Sequence, residues 1–544
     1  MKLYQTLGGL ACLTGATLAH AGSQYHRLIW DASPQSQATI GFTPNGGSDH
    51  HVMYGTSSNE SQWQRKNVSA SRTFAASLSS QFVKLTGLPS NSAVYYRVCD
   101  STGCGARLWF KTAPNDNSAF TAIAGGDTRT GWTTRRQGNA LVAKIRPLFI
   151  MHGGDYTNAN NASEMTEYLK DWQLTFSDDL IGGQSYQRIY PFIATHGNHE
   201  DGNFNTLCEV FGVDYNQDGQ CNAHDTYGAV AVSPLLKVYT LNSQFQNSGW
   251  SSYATAMNNW LSSDLGASQS HTWRIGQYHK PMFPHYTGKS DNTTLHSWWA
   301  QVFNNQKMHL LVESDTHINK LTQPLIPTSN NFTATTNGGT VYVGEGSWGA
   351  PARSANDPKS WTLDLASIQQ FKVLSVLPDK LLVRTAQFDA SAEALSQEAR
   401  DADPIALPGN VNWWQVANLG EVVTLVKTAN GLVKIDQGTV PPDGTPHGGE
   451  TFNNLSASKG NWYRTSFSLP AGVTSLSVSI SGGSGDADLY VKRGSEPSTS
   501  SYDCRPYKDG NSETCPITNP AAGTWHLGVR AYATFSGVTL SYQY

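Results

Sequence analysis

Hydrophobic and polar positions are patterned differently in three successive parts of the chain. Between Gln24 and Pro114, short β-type runs are separated by turns: Arg27–Trp30, Gln37–Phe42, His51–Tyr54, Phe82–Leu85, Val94–Val98 and Leu108–Lys111. Strands at this spacing, with no helical period between them, predict a β-sandwich. From Ala119 onward the strands are too apolar to be half exposed. Six can be read: Phe120–Ala124, Leu148–Met151, Phe192–Thr195, Trp273–Tyr278, His309–Glu313 and Thr340–Val343. They alternate with amphipathic stretches such as Ala162–Phe176 and Tyr253–Leu265, the pattern of a buried sheet between helices in an α/β domain. Gln370–Leu377 and Leu381–Phe388 read as a β-hairpin. Gln437–Gly449, rich in Pro and Gly, reads as a linker. Beyond it Trp462–Tyr544 is β-type again, with period-two alternation over Ser475–Ile480 and Val538–Tyr542. The expected organisation is a β-sandwich over 22–114, an α/β domain over 115–436, a linker over 437–449 and a second β-sandwich over 450–544.

Composition agrees with this division. A length of 544 residues suits about three domains. Charged residues are only 14%, while 50 Gly, 16 Trp and 23 Tyr favour rigid β-rich domains over helical bundles. A formal net charge of −4 without a basic block gives no nucleic-acid-binding signature. No apolar run approaches the roughly 20 residues of a membrane span. Lys2, the apolar Leu7–Leu18 and Ala19-His20-Ala21 form a secretory leader over 1–21, with a mature start near Gly22. A lipid anchor on Cys12 is the weaker reading, because Gly9 stands where an aliphatic residue is needed. Export then leaves six cysteines in close pairs, Cys99/Cys104, Cys208/Cys221 and Cys504/Cys515, expected as disulfides in an extracellular or periplasmic protein. A thiolate zinc site is disfavoured because no pair has two-residue spacing.

The chemistry collects after the strands of the middle region. Gly125-Gly126-Asp127-Thr128-Arg129 follows the first, His152-Gly153-Gly154-Asp155 the second and His196-Gly197-Asn198-His199-Glu200 the third. His279-Lys280-Pro281 follows the fourth and Ser314-Asp315-Thr316-His317 the fifth. Ligands of α/β sheets bind beyond the carboxyl ends of the strands, so five consecutive loops aim oxygen and imidazole donors at one crevice. Gly197 is read as the bend that presents Asn198 and His199. A donor set without sulfur suits Mn, Fe or Zn. Two cations sharing a bridging carboxylate would hold both oxygens of an in-line displacement at phosphorus, with a hydroxide between them as nucleophile.

These five ordered motifs resemble the calcineurin-like metallophosphoesterases, and within them the purple acid phosphatases. The Leu85-Thr86-Gly87-Leu88 and Tyr95-Tyr96-Arg97-Val98 segments look like the end of a fibronectin type III domain, which that branch carries in front of its catalytic domain. The resemblance covers roughly Gln24 to Phe388 and implies a four-layer αββα sandwich holding two metal ions. It implies that Asp155 bridges the ions, that Asp127 and His317 complete one site, and that Asn198, His279 and Asp315 complete the other. His199 would act as general acid or transition-state donor, and His285 would contact substrate. Three positions depart from the family pattern. Arg129 replaces a glycine or histidine and is read as a phosphate clamp. Asn158 replaces the tyrosine that colours purple acid phosphatases and is read as a weak metal ligand. Asp315 replaces a histidine, keeping a ligand while adding negative charge.

Two further features lie outside this set. Asp214, Asn216, Asp218, Gln220 and Asp225 stand at positions 1, 3, 5, 7 and 12 of a calcium-loop pattern, with Gly219 at position 6. An ordinary Asn/Asp/Gly turn is the alternative. Gly482–Val491 and Gly523–Val529 resemble the bacterial pre-peptidase C-terminal domain, which implies export and surface or substrate attachment, with Asp486 and Asp488 as a lesser calcium candidate. The reading is therefore a secreted dinuclear-metal phosphoesterase, acid-phosphatase-like and with monoesters ahead of diesters. The alternatives are a phosphodiesterase of the same fold, or a silent surface-binding protein.

Overall fold

The computed structural model describes residues 22–396, 403–436, 449–469, 473 and 475–544. The leader expected over 1–21 and the linker expected over 437–449 lie outside these residues, except for Gly449, which already belongs to the strand Gly449–Ala457. The chain divides into two compact units, the second containing the chain from Asp436 onward.

In the first unit the six apolar runs form strands with boundaries shifted by at most one residue: Phe120–Gly125, Phe149–His152, Phe192–Ala194, Trp273–Gln277, Leu310–Val312 and Val341–Gly344. They do not share one sheet. The first three lie together, in parallel register from Ala122↔Phe149 and Ile150↔Phe192. The last three form the core of a separate seven-stranded sheet, parallel through Ile275↔Leu310 and Leu310↔Val341. Every residue of the six strands is buried, as expected of parallel strands covered on both faces. The expected hairpin is present as Gln370–Val376 against Lys380–Gln387, and it extends the first sheet beside Phe120–Gly125.

The helices follow from their apolar spacing. In Ala162–Trp172, Met165, Tyr168, Leu169 and Trp172 form one buried stripe, and the Asn161 side chain caps the start by accepting from the Glu164 N–H at 2.9 Å. Helix Thr293–Asn305 buries Leu295, Trp299 and Phe303 against the second sheet's core and is capped by Asn292. Full burial of each such side chain contributes about 1.5–3 kcal/mol.

The N-terminal β-sandwich is continuous with the central sheets. Its strand Ser23–Ile29 pairs in parallel with Phe192–Ala194, so one sandwich sheet extends the first central sheet to eleven strands. The other sandwich sheet gains the hairpin Ser177–Ile181/Gln184–Arg188 through Arg188↔Trp109. The module covers edges that would otherwise expose unpaired N–H and C=O groups. The strands Gln64–Asn67 and Ala70–Phe74, half polar and short, carry no clear signal in the sequence.

The second unit is a six-stranded antiparallel fold organised on the long strand Gly523–Gln543, which pairs with four others. Its core includes Leu476, Val478, Ile480, Leu489, Val491, Leu527 and Val529. All three expected disulfides are present: Cys99–Cys104, Cys208–Cys221 and Cys504–Cys515. Among the described residues no helix is long and apolar enough to cross a membrane.

Candidate metal centre

The carboxyl ends of two sheets, rather than of one, meet at the site. Asp127, Asp155 and Asn198 arrive from loops of the first sheet; His279, Asp315 and His317 arrive from loops of the second. Four of these six residues sit in left-handed backbone conformations: Asp127 at φ 61°, Asp155 at 57°, Asp315 at 70° and His317 at 58°. Such conformations are costly for non-glycine residues, and they gather where side chains must be presented at a fixed point.

Asp155 occupies the middle. Its Oδ1 is 3.2 Å from His279 Nε2 and accepts from the His199 N–H at 3.0 Å. Its Oδ2 is 3.4 Å from Arg129 Nε and 3.7 Å from His199 Nε2. Asn198 Oδ1 lies 3.2 Å from His279 Nε2, and Asp315 Oδ1 lies 3.6 Å from it. On the other side His317 Nε2 faces Asp127 Oδ1 at 3.2 Å, while Asp127 Oδ2 accepts from the Asp315 N–H at 2.9 Å. Asp127, Asp155 and His279 each place a donor atom within 4.8 Å of the others.

The tautomers are set from behind. His279 Nδ1–H donates to the Gly153 carbonyl at 2.8 Å, and His317 Nδ1–H donates to the Pro351 carbonyl at 3.2 Å. A neutral ring held this way presents a bare Nε2 lone pair. Both lone pairs face oxygen acceptors, and Asp127 Oδ1 is buried without a hydrogen-bond partner. Acceptor facing acceptor at these distances calls for a cation between them, whether a proton or a metal ion. Without metal the proton takes that place. Burial works against a charged ring, but Asp155, Asp315 and Asp127 hold His279 well above the usual imidazole range. Burial likewise works to raise Asp155, and the facing imidazoles of His279 and His199 hold it down at about 2. The residues present fit transition-metal ions: oxygen and nitrogen donors, no sulfur, and backbone acceptors orienting the imidazoles.

Glu200 organises the loop from beneath. Its carboxylate accepts from the backbone N–H groups of Asp155 (2.9 Å), Tyr156 (3.1 Å) and Gly197 (2.9 Å), tying two motifs together. Burial and the Asp155 charge push it up to about 8. Gly197 is not needed for a bend: its φ of −103° and ψ of 175° are open to any residue. It is needed for close approach, because a Cβ there would fall 2.3 Å from Asp155 Oδ1; at Gly346 one would fall 1.9 Å from Asp127 Oδ2.

Several expected residues sit differently from the sequence reading. Asn158 is exposed; its Oδ1 accepts from Arg129 Nη1 at 3.1 Å and its carbonyl accepts from His199 Nδ1 at 2.5 Å, so it orients two side chains rather than joining the carboxylates. His285 is fully buried and turned away from the cluster, with Nδ1 3.2 Å from Glu345 Oε1 and Nε2 2.7 Å from Thr362 Oγ1. A buried Lys320–Glu345 ion pair of 2.6 Å explains why the ring is held there. Arg129 reaches across the site, with Nη2 3.3 Å from His317 Nε2. Two cationic residues were not anticipated. Lys289 pairs with the Asp315 carboxylate and donates to its carbonyl at 2.8 Å, and Arg353 donates to the same carbonyl at 3.0 Å. Both lie in irregular loops, where sequence carries no periodic signal.

Of the calcium-pattern residues, Asp214, Asn216, Asp218 and Gln220 lie in a separate loop after the short helical turn Leu207–Phe211, and Asp225 lies in the following turn Ala223–Thr226.

Comparison with known proteins bears on the two regions of the chain. Residues 133–319 match the family model for the calcineurin-like phosphoesterase domain, and residues 464–531 match that for the bacterial pre-peptidase C-terminal domain. The first match contains Asp155, Asn198, His199, His279, Asp315 and His317; Asp127 lies just before it. A solved purple acid phosphatase from yellow lupin (Lupinus luteus) seeds shares the fold at a TM-score of 0.56 and 14% identity, over 75% of each chain. A zinc metalloprotease of Helicobacter pylori is 44% identical over 128 residues, 23% of this chain and 48% of that protein. A hemagglutinin/proteinase of Vibrio cholerae is 44% identical over 128 residues, 23% of this chain and 20% of that protein. The chain thus spans less than half the length of these curated relatives. Its central region is a calcineurin-like phosphoesterase domain, and its C-terminal region is a bacterial pre-peptidase C-terminal domain.

Proposed function

We propose that the protein is an exported, metal-dependent phosphoesterase with a dinuclear centre, acting on phosphate monoesters. The observation that carries this reading is the set of bare imidazole nitrogens facing carboxylate oxygens around Asp155. Asp155 would bridge two ions, with Asp127 and His317 on one side and Asn198, His279 and Asp315 on the other. Bound there, transition-metal ions supply Lewis-acid polarisation of the phosphoryl group.

The chain's own groups supply the remaining chemistry. His199, only partly buried and anchored through Nδ1 to the Asn158 carbonyl, presents Nε2 toward Asp155 and the open side. There it donates a proton or a charge-assisted hydrogen bond to the departing oxygen. Arg129, beside Asp155 and His317, grips a phosphoryl oxygen. Lys289 offsets the charge that Asp315 adds. A cleft of about 450 Å³ beside Asp315, lined in part by Lys280 and Lys289, accommodates the rest of the ester. Three disulfides, the pre-peptidase C-terminal match and the protease relatives support export to an oxidising compartment. The C-terminal unit is assigned surface or substrate attachment.

The test is phosphate release from a chromogenic monoester and diester side by side, with metal analysis of the purified protein. Monoester turnover with about two transition-metal ions per chain is the expected result. Faster diester turnover would replace the monoester reading. No turnover of either substrate, with no bound metal, would leave a silent binding protein.

A further inference from the structure

The loop from Asp214 to Asp225 takes no part in the strand-end centre and is organised around a focus of its own. Asp214 Oδ1 accepts from the Asp218 N–H at 3.0 Å and Oδ2 from the Gly219 N–H at 3.1 Å, while Asp218 Oδ1 accepts from the Gln220 N–H at 2.7 Å. Gly219 takes φ 72° at the sixth position. These features alone describe a polar turn.

Asp225 is what a polar turn leaves unexplained. It is 1% exposed; Oδ2 accepts from the Asn222 N–H at 3.1 Å, and Oδ1 is buried with no hydrogen-bond partner. A half-bonded buried carboxylate is strongly disfavoured unless a cation meets it. Burial, with the charges of Asp214, Asp218 and Asp31 acting on the same group, pushes Asp225 up to about 7. Asp31, also buried, accepts from the Asp214 N–H at 3.0 Å and is pushed up to about 7 by burial, against the pull of Lys84. Two positive groups reach the loop, but at uncharged partners: Lys84 at the Gln217 side chain, and Arg72 at the Gly219 carbonyl at 3.1 Å. His224 turns to the Tyr227 hydroxyl at 2.9 Å. Neither cation takes up the open Asp225 Oδ1, and the carboxylates and carbonyls of the loop offer oxygen, the donor type of a hard cation.

We infer that Asp214, Asn216, Asp218, the Gln220 carbonyl and Asp225 bind one calcium ion, which fastens this loop to the N-terminal β-sandwich. The sandwich contributes Asp31, Arg72 and Lys84 to the contact, and the Cys208–Cys221 disulfide closes the loop's base. Asp at the twelfth position reaches less far than the usual Glu, which places the site in the weak range of extracellular modules, a dissociation constant of about 10⁻⁴–10⁻³ M.

The test uses the full chain with its transition metals retained, titrated with calcium chloride. One calcium per chain should bind, and about 10 mM calcium should raise the melting temperature by several degrees. In Asp218→Ala, whose side chain is exposed, calcium affinity should fall at least about tenfold and the melting shift should vanish. Asp155→Ala should keep both calcium responses, whatever becomes of activity. Absence of binding, or binding unchanged in Asp218→Ala, overturns the inference. Binding lost in Asp155→Ala but kept in Asp218→Ala overturns it in favour of the strand-end centre.

Discussion

The strand-end centre and the Asp214–Asp225 loop both crowd carboxylates together, and they resolve the crowding in opposite ways. In the centre, every carboxylate meets an imidazole, a guanidinium, an ammonium or a backbone N–H, and its donors are drawn within 4.8 Å. Among the described residues it is the one place where three such groups converge so closely. In the loop the carboxylates stand farther apart, held by backbone N–H groups, with no imidazole turned toward them. The contrast separates two kinds of cation. Rigid mixed nitrogen and oxygen donors on strained backbone select a transition metal, whereas an adaptable oxygen loop that must close on its ion suits calcium.

The largest expected effect is that of Asp155→Ala, which removes the shared carboxylate. Transition-metal content and phosphoester hydrolysis should both fall to background, while the calcium-induced melting shift persists. Retained metal with full turnover would mean that Asp155 is not central. Next is His199→Ala. Metal content should stay while kcat drops about 10²–10⁴-fold, the usual contribution of a general acid. An unchanged rate removes His199 from the chemistry.

Lys289→Met tests whether Asp315 needs its counter-charge. The expected outcome is about a tenfold loss in kcat/KM with both kinds of metal retained, because one charge-assisted contact is lost. A wild-type rate would make Lys289 a surface ion pair only.

The smallest effect concerns pH. Asp31 and Asp225 are held near 7 in the folded protein, above their unfolded values. Protons therefore favour the folded state, and without calcium this contribution is fully present at low pH and is lost as pH rises through about 7. Calcium binds the ionised forms, so its stabilising shift should be larger at pH 8 than at pH 5. Melting curves at the two pH values, with and without calcium, measure this directly. Equal shifts would separate the two carboxylates from the ion.

Much of this was legible in the chain. Uninterrupted apolar runs such as Leu148–Met151 read as buried strands, and a functional loop is visible after five of the six, as Asp or Asn following glycine after the first three and as His279 and Asp315/His317 after the next two. Local Cys spacing marked the three disulfides. Other features were not legible because they depend on direction rather than on order. Spacing placed His285 near His279 but could not show that Glu345 and Thr362, distant in sequence, would turn its ring inward. Asn158 looked like a ligand by position, yet Arg129 engages its side chain. Lys289 and Arg353 reach Asp315 from loops with no pattern of their own.

The sequence by itself determined which strands are buried, which donors follow them and which cysteines pair, because burial and local spacing are written in neighbouring residues. The resemblance implied two sheets in a four-layer sandwich; only the tertiary structure decided which of the six strands join which sheet, and that the two sets of carboxyl ends meet at Asp155. Strand order and sheet membership arise from long-range pairing, Ile29 with Phe192 and Leu310 with Val341, which no short window of sequence contains.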